Sequence, residues 1–218
     1  MRRPPVYALF DFVRFRSWYS WLYRVEVRRR ELVPPSGPLI LVANHESMID
    51  PWLLGLVTPR PVHYMAKAEL WKWAPTRWVM RGTGAFPVSR GIGDRGAVDH
   101  GAELLARGQV LGIFPQGTCL PFRHRPWLRG AARLALSSGT TIVPVCIVGS
   151  ERALRPGKLK LGLPRIRVLV CEPIEVVQTR PTVAAAKELT ARVEAAIEAA
   201  RAPFGPPAHA WYPDERAA

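Results

Sequence analysis

His45 and Asp50 are the two side chains whose types and spacing best suit catalysis, and they lie five residues apart in the stretch LILVANHESMIDPWLLGL at 39–56. An imidazole has an unperturbed pKa near neutrality, so it can take a proton from a hydroxyl group and later return it. A nearby carboxylate can hold one ring nitrogen protonated and thereby aim the other at a substrate. The sequence therefore predicts His45 as a general base and Asp50 as the residue that orients it.

This spacing needs a structural context, because His209 and Asp214 stand equally far apart in a Pro-rich tail with no strand before it. The apolar run at 39–43 predicts a strand, and Asp50-Pro51 predicts the start of a helix. The turn between them then lies at the carboxyl end of a strand, where open α/β sheets bind ligands. Asp followed by Pro is also typical of a helix N-cap, so capping is an alternative or additional role for Asp50.

Predicted strands and helices alternate along the chain. The strands are predicted at 39–43, 62–66, 84–88, 109–114, 141–148 and 165–171, and the helices near 50 and at 69–81, 95–106, 129–138 and 182–201. This alternation predicts an α/β fold with a largely parallel central sheet flanked by helices. Three strand ends carry polar residues and would converge on one edge of that sheet: the 44–50 turn, Ser89-Arg90 and residues 116–118.

The first 31 residues are both aromatic and basic. Two apolar stripes at helical spacing face roughly opposite ways, namely Val6, Leu9, Phe10 and Val13, and then Phe15, Trp18, Tyr19 and Leu22. One stripe can pack on the body while the other meets a membrane, with Trp and Tyr at headgroup level and Arg on anionic lipid. The alternative is that both pack on the body. We predict a helical membrane-interface segment at 1–33, an α/β domain at 34–202 and a Pro-rich tail at 203–218.

The composition narrows the function classes. A net charge of +14 in 218 residues indicates an anionic partner, unless it reflects only the Arg codons of a GC-rich genome. A nucleic-acid partner is not expected, because no basic helix, zinc spacing or aromatic RNA-binding signature occurs. A serine hydrolase is not expected, because the sequence contains no G-x-S-x-G motif. No metal site is expected, since His63, His100 and His124 lack partners at ligand spacing.

The cysteines and the hydropathy pattern bear on location. Cys119, Cys146 and Cys171 lack C-x-x-C spacing, which is typical of reduced thiols in a cytosolic protein. No apolar run reaches the roughly 18 to 20 residues needed to cross a bilayer. We therefore expect the chain at the cytoplasmic face of a membrane, bound to an anionic lipid surface.

Four segments carry a resemblance to a known family. NHESMID, GAFPVSR, FPQGT and IVPVCIVG occur in the order and at the usual separations of the four blocks of glycerolipid acyltransferases of the 1-acylglycerol-3-phosphate type, and AKAEL and LRGAARLAL match as well. The resemblance covers residues 38–173. It implies acyl transfer to a lyso-lipid hydroxyl from a thioester of coenzyme A or acyl carrier protein, which is a substrate, so no cofactor is expected.

The resemblance also implies roles for individual residues. His45 and Asp50 would be the base and its orienter, Arg90 would contact the acceptor phosphate, and the Gly117-Thr118 turn would shape acceptor binding. Further candidates for substrate binding lie in the matching segments: Asn44, Ser47, Lys67, Gln116 and Arg129. A thioester already has a good leaving group, so a base can activate the acceptor directly without a Ser or Cys nucleophile.

The third block departs from the family pattern, which usually has Glu at the position of Gln116 and commonly Arg-Ser at Cys119-Leu120. Gln keeps hydrogen-bonding capacity but brings no charge, and Arg123, Arg125 or Arg129 are candidates to replace the missing cation. The sequence thus predicts conversion of 1-acylglycerol-3-phosphate to phosphatidic acid. The alternatives are another lyso-lipid acceptor, such as an amino-acid-containing or glycosylated lipid, and a catalytically silent membrane-binding relative.

Overall fold

The computed structural model describes residues 15–74, 77, 80, 84–88, 95–119, 126–153 and 162–205. Seven strands of the described chain form one sheet: β1 Glu26–Arg28, β2 Leu39–Ala43, β3 Val62–Lys67, β4 Phe86–Val88, β5 Val110–Ile113, β6 Ile142–Val148 and β7 Arg167–Val170. The α-helices with defined bounds are α1 Phe15–Leu22, α2 Asp50–Leu54, α3 Arg95–Ala106, α4 Gly130–Ser138 and α5 Val183–Arg201. The predicted alternation of strands and helices is therefore confirmed.

The sheet is largely parallel, as predicted. Its strand order is β1-β7-β6-β2-β5-β3-β4, and β6, β2, β5, β3 and β4 run in the same direction. Strand β7 is antiparallel to β6, and β1 is parallel to β7. The carboxyl ends of the five parallel strands consequently share one edge, and the 44–50 turn lies there because it follows β2.

Helices cover both faces of the sheet. Strand β2 is buried along its whole length, as expected of a central parallel strand, and its residues alternate between two cores. Leu39, Leu41 and Ala43 pack with α1 and α2 on one face. Ile40 and Val42 pack with α3, α4 and α5 on the other. Helix α5 is capped by the Thr182 side chain at its start and brings Arg201 to the carboxyl edge at its end.

The N-terminal region differs in part from its prediction. Helix α1 buries Tyr19 in the core, whereas Trp18 and Trp21 are 55% and 75% exposed. The region predicted to be helical through residue 33 also contains strand β1, which pairs with β7. The first predicted apolar stripe, at 6–13, and most of the Pro-rich tail lie outside the described residues. None of the helices described is long and apolar enough to cross a membrane.

Other differences concern the ends of elements. The strand predicted at 84–88 is Phe86–Val88, and the helix predicted at 69–81 begins with a 3₁₀ turn, Ala68–Trp71, with several later residues outside the described part. Helix α4 ends at Gly139, whose φ of 65° lies in the left-handed region that glycine adopts without a Cβ clash. These shifts leave the turns of the site in place.

Candidate active site

The turn between β2 and α2 brings His45 and Asp50 together. His45 Nδ1 lies 2.9 Å from Asp50 Oδ2, and the two side chains are 15% and 0% exposed. The same Asp50 oxygen accepts hydrogen bonds from the backbone N–H groups of Glu46 at 2.6 Å and Ser47 at 2.7 Å. Three donors thus fix the carboxylate, and one of them is the imidazole that it was predicted to orient.

The alternative of a helix cap is not what the structure shows for Asp50. Helix α2 begins at Asp50 itself, the residue in the cap position is Ile49, and no side chain caps the helix. The carboxylate instead turns back to accept hydrogen bonds from the amides that precede it, while Pro51 removes one N–H that would need a partner in the first turn. Asp50 therefore closes the turn around His45 and makes no capping hydrogen bond to the helix that follows.

The contact with Asp50 determines which nitrogen of the imidazole can act as a base. An ionised carboxylate can accept hydrogen bonds but cannot donate one. The neighbouring Nδ1 must therefore carry the proton of the neutral ring. Nε2 then holds the free electron pair. Because Asp50 is completely buried and His45 is partly exposed, Nε2 is the atom able to take a proton from an entering hydroxyl group.

A stack of two aromatic rings packs against one face of the imidazole. Phe114, at the end of β5, stacks on His45 with ring centroids 4.3 Å apart and an interplanar angle of 28°, and Tyr64 stacks on Phe114 at 6.4 Å. The Tyr64 hydroxyl donates to the Pro51 carbonyl at 2.5 Å. Gly112 makes room for this stack, since a Cβ there would lie 2.5 Å from the Tyr64 ring. These contacts hold the imidazole plane roughly parallel to Phe114.

The third block contacts the backbone of His45. The side-chain carbonyl of Gln116 accepts a hydrogen bond from the His45 N–H. Gly117 has a φ of 71° and its N–H donates to the Phe114 carbonyl at 3.0 Å, which turns the chain back toward His45. The Leu128 N–H donates to the Pro115 carbonyl at 2.8 Å and joins the start of α4 to this turn. For the contact with His45, an oxygen acceptor suffices, and Gln and Glu both provide one.

The remaining predicted site residues fall into three groups. Asn44 and Ser47 are 3% and 0% exposed, and the Asn44 amide exchanges two hydrogen bonds with the Ile147 backbone. Thr118 is half-buried in the third-block turn, and Arg129 is exposed just before α4. Lys67 ends β3 at the same edge. Arg90 lies outside the described residues, so its phosphate contact stays a prediction, as do the substrate contacts of the others.

Several groups at this edge were given no role by the sequence analysis. Phe114 was noted only as the end of a strand, Glu46 as a member of the turn, and Arg201 as the end of a helix. A signal for Arg201 was available, because Leu189, Val193, Ile197 and Arg201 recur every four residues and all are buried. A charged residue in such a stripe must find a polar partner in the core.

Burial shifts the pKa of two groups beside the turn. Burial, together with the nearby charge of Asp50, raises the pKa of Tyr19, whose hydroxyl donates to the Ile49 carbonyl at 3.5 Å. Burial also raises the pKa of Glu46 to about 7, although Arg201 opposes the shift. Glu46 is therefore the carboxyl group of the turn whose charge changes near neutral pH.

The pairing of His45 with Asp50 at the carboxyl edge of a mostly parallel sheet is the arrangement expected of the family that the sequence motifs suggested. The family model described as Acyltransferase matches residues 24–148, which is more than half of the chain. The chain belongs to this acyltransferase family and is an enzyme of the O-acyltransferase class.

Individual relatives agree with this assignment. The chain is 30% identical over 144 residues to the 1-acyl-sn-glycerol-3-phosphate acyltransferase of Bacillus subtilis, an alignment that covers 63% of this chain and 70% of the relative. It is 35% identical over 115 residues to the lyso-ornithine lipid O-acyltransferase of Pseudomonas aeruginosa, covering 52% of this chain and only 44% of the relative. The matched region is thus less than half of the second relative's length.

A solved structure shares the fold. The crystal structure of the 1-acyl-sn-glycerophosphate (LPA) acyltransferase PlsC from Thermotoga maritima superposes with a TM-score of 0.73 and covers 92% of this chain and 80% of that protein. The two sequences are 24% identical, so this similarity supports the architecture of the sheet and its helices and nothing finer.

Proposed function

We propose that this enzyme transfers an acyl group from a thioester to the free hydroxyl of 1-acylglycerol-3-phosphate and so forms phosphatidic acid. The single observation that carries the proposal is the 2.9 Å contact between His45 Nδ1 and the buried Asp50 carboxylate at the carboxyl edge of the sheet. The relatives named 1-acyl-sn-glycerol-3-phosphate acyltransferase support the choice of acceptor.

The chemistry follows from the tautomer that Asp50 imposes. His45 Nε2 takes the proton of the acceptor hydroxyl as its oxygen attacks the thioester carbonyl, which forms the new C–O bond and a tetrahedral intermediate. The intermediate collapses with cleavage of the C–S bond, and the protonated imidazole returns its proton to the departing thiolate. Asp50 stabilises the imidazolium between these steps. Proton transfer by a positioned base of this kind typically raises the rate by about 10²- to 10⁴-fold.

The test compares the parent enzyme with His45→Ala in a detergent-micelle assay of acyl incorporation, using coenzyme A and acyl carrier protein thioesters in turn. We expect activity in the parent and a loss of at least about 10²-fold in His45→Ala, because general-base catalysis disappears. The exposed His100→Ala is the matched control and should keep full activity. Parental activity that persists in His45→Ala would contradict the assignment of the base.

A second acceptor is a specific alternative, since a relative of 35% identity is named a lyso-ornithine lipid O-acyltransferase and the third block carries Gln116. Equal concentrations of 1-acylglycerol-3-phosphate and lyso-ornithine lipid should be offered in one reaction. Preferential consumption of the phosphate-bearing acceptor supports the proposal. Preferential consumption of the phosphate-free lipid would replace it with the alternative.

We also propose that the enzyme binds the cytoplasmic face of a membrane with the edge that carries His45. Four large apolar side chains of α1, the turn and α2 are exposed: Trp18 at 55%, Trp21 at 75%, Met48 at 55% and Trp52 at 39%. Tyr19 makes an edge contact with Trp52 at 6.2 Å between ring centroids, which joins α1 to the turn region. Exposed Trp residues of this kind partition into the headgroup region of a bilayer.

A vesicle-binding experiment tests this membrane surface. The double variant Trp18→Glu/Trp21→Glu should show at least about tenfold weaker co-sedimentation with anionic vesicles, since apolar insertion is replaced by repelling charge. Val177→Glu is a matched control, because Val177 is 85% exposed while its neighbour Gln178 contacts Ser137 at the opposite edge of the sheet. Unchanged binding of the double variant would assign α1 to packing alone.

A further inference from the structure

A buried ion pair joins the last helix of the domain to the turn that carries the base. Glu46 follows His45 directly, whereas Arg201 is the last residue of α5 and lies 155 positions later in the sequence. Arg201 Nη2 donates to Glu46 Oε1, and the two side chains are only 5% and 8% exposed. Helix α5 thus ends with a cation inside the core at the edge of the active site.

The pair belongs to a larger polar cluster that holds both neighbours of His45. Arg201 also donates to the Ile147 carbonyl at 3.0 Å. Asn44 donates to this carbonyl at 2.8 Å and to Glu46 Oε1 at 3.2 Å, while its own carbonyl accepts from the Ile147 N–H at 2.7 Å. Two oxygens, Glu46 Oε1 and Ile147 O, therefore each receive Asn44 and Arg201 as donors.

This cluster constrains the backbone on each side of the imidazole. Asn44 is tied to strand β6, Glu46 is tied to helix α5, and the N–H groups of His45 and Glu46 are bound by Gln116 and Asp50. Phe114 and Asp50 then fix the ring itself. Removing Arg201 would leave Asn44 as the described donor to the Glu46 side chain, while Asp50 and Phe114 keep their contacts with the ring. The expected result is a shift of the imidazole with its backbone, without loss of the contact between His45 and Asp50.

Such a buried pair is poorly explained by stability alone. Desolvation of two charges usually offsets their attraction, and apolar residues of similar size are often at least as stable. Glu46 Oε2 is buried without a hydrogen-bond partner among the described residues, and Glu151 and Asp50 add negative charge nearby. We therefore look for its role in the placement of the turn.

We propose that Arg201 is a positioning residue for the general base, acting on His45 through Glu46 and the Ile147 carbonyl. This inference rests on the proposed acyltransferase function, and it adds a residue outside all four sequence blocks to the machinery of the site. Phe204, three residues later, packs its ring against the Arg167 guanidinium at 5.0 Å, which anchors the end of α5 that carries Arg201.

The kinetic experiment compares Arg201→Gln, Arg201→Lys and the double variant Glu46→Gln/Arg201→Gln with the parent. We expect Arg201→Gln to lower kcat by about 10- to 100-fold with KM changed less than about threefold, because misplacement of a reacting group affects the transition state most. Arg201→Lys, which keeps the charge, and the double variant, which removes the unpaired carboxylate, should each recover a large part of this loss. Arg192→Gln, an exposed arginine on the same helix, should behave as the parent.

The pH profile separates positioning from a merely structural role. Three charged groups act on Glu46. They are Arg201 of α5, Asp50 of α2 and Glu151 of the segment after β6. Removing the cation raises the pKa of Glu46 further, so this neighbour of His45 becomes charged only at higher pH. The acidic limb of the kcat profile should move with it in Arg201→Gln and return in the double variant, which has no carboxyl group at position 46. A folded Arg201→Gln with the kcat and pH profile of the parent would overturn the inference.

A measurement without substrate keeps this test distinct from the test of the proposed function. The His45 ring resonances, assigned by comparison with His45→Ala, can be titrated by NMR in the parent, Arg201→Gln and Arg192→Gln. A changed His45 titration in Arg201→Gln alone supports positioning even if no acceptor is turned over, which would count against the proposed function only. Superimposable His45 titrations in all three proteins would refute the positioning role.

Discussion

Two turns form the site, and they are built very differently. The catalytic turn, residues 44–50, buries Asn44, Ser47 and Asp50 almost completely, and the Asn44 amide and Asp50 Oδ2 make hydrogen bonds within the protein. The second turn, residues 115–119, is named the acceptor turn for its predicted role. It is half-buried beyond Pro115, and its described side-chain link to the other turn is the hydrogen bond from the His45 N–H to Gln116. Buried contacts within the turn and with Ile147 and Arg201 fix the first turn, while the second is partly exposed beyond Pro115.

This difference explains where the sequence departs from its family pattern. The departures at Gln116, Cys119 and Leu120 fall in or beside the acceptor turn, whereas His45 and Asp50 keep the family's residue types. A side chain in the catalytic turn that changed its hydrogen-bonding pattern would leave a buried partner unsatisfied. A half-exposed side chain in the acceptor turn can change and be compensated by water or by the ligand. Substitutions in the acceptor turn should therefore cost less stability than substitutions in the catalytic turn.

The strongest test of the catalytic turn is Asp50→Asn. The amide can keep an oxygen toward the N–H groups of Glu46 and Ser47, but it no longer enforces the Nδ1–H tautomer or stabilises an imidazolium. We expect kcat to fall by about 10²- to 10⁴-fold with little change in KM, measured under saturating thioester. Asp99→Asn, an exposed acid on α3, is the control. More than a third of parental kcat in Asp50→Asn would show that the carboxylate only shapes the turn.

A stability measurement probes the cost of the catalytic turn. The folded pKa of Glu46, about 7, lies above its ordinary value of 4.5, so the native state holds an extra proton between these values. Stability from this group is present below pH 4.5 and is lost as the pH rises through 7, amounting to about 3 kcal/mol. Glu46→Gln should remove this dependence, so its free energy of unfolding relative to the parent should increase from pH 5 to pH 8 in urea titrations.

The control for that measurement is Glu103→Gln, since the Glu103 side chain is 62% exposed on α3. Its unfolding free energy should follow the parent at every pH. Parallel curves for Glu46→Gln and the parent would show that Glu46 stays ionised in the folded state across this range. The catalytic turn would then hold a carboxylate that stays charged while buried, bound by Arg201 and Asn44.

The sequence could predict the part of the site that depends on order along the chain. Strand β2, the turn and the start of α2 follow from an apolar run, polar residues and Asp50-Pro51, and the dyad is local in sequence. Gln116 was also predicted as a site residue, because parallel strands bring their carboxyl ends together. Its contact with the His45 backbone was not, since a side chain's choice of partner depends on packing.

Contacts between distant segments escaped prediction for the same reason. The pairing of Arg201 with Glu46 requires the length and direction of α5 across the sheet, and the stack of Tyr64 on Phe114 requires the register between β3 and β5. Strand β1 was missed because three residues, Glu26–Arg28, lie among charged neighbours and carry too short an alternation to indicate a strand. Its partner β7 supplies the hydrogen bonds that make it one.

The ring beneath His45 offers a comparison between a contact in the site and a similar contact outside it. Phe114 stacks on His45, while Phe86 makes an edge contact with His100 at 4.8 Å between ring centroids. Phe114→Leu should lower kcat by up to about tenfold, because aromatic pairing of 0.5–1.5 kcal/mol no longer holds the imidazole. Phe86→Leu should lower the melting temperature but leave kcat unchanged. Equal effects on kcat would mean that both contacts act only through general stability.

Substitutions in the acceptor turn should change kcat least. The size of the change should depend on which atom position 116 presents to the His45 N–H. Gln116→Glu keeps an oxygen acceptor for the His45 N–H, so we expect kcat within about threefold of the parent, whereas Gln116→Leu loses a hydrogen bond of about 1 kcal/mol and should lower kcat about fivefold. The added charge in Gln116→Glu should instead appear in KM, as a changed ratio between phosphate-bearing and phosphate-free acceptors. A gain in kcat of tenfold or more in Gln116→Glu would mean that the family's carboxylate takes part in the reaction, and the two turns would then have to be treated as one catalytic unit.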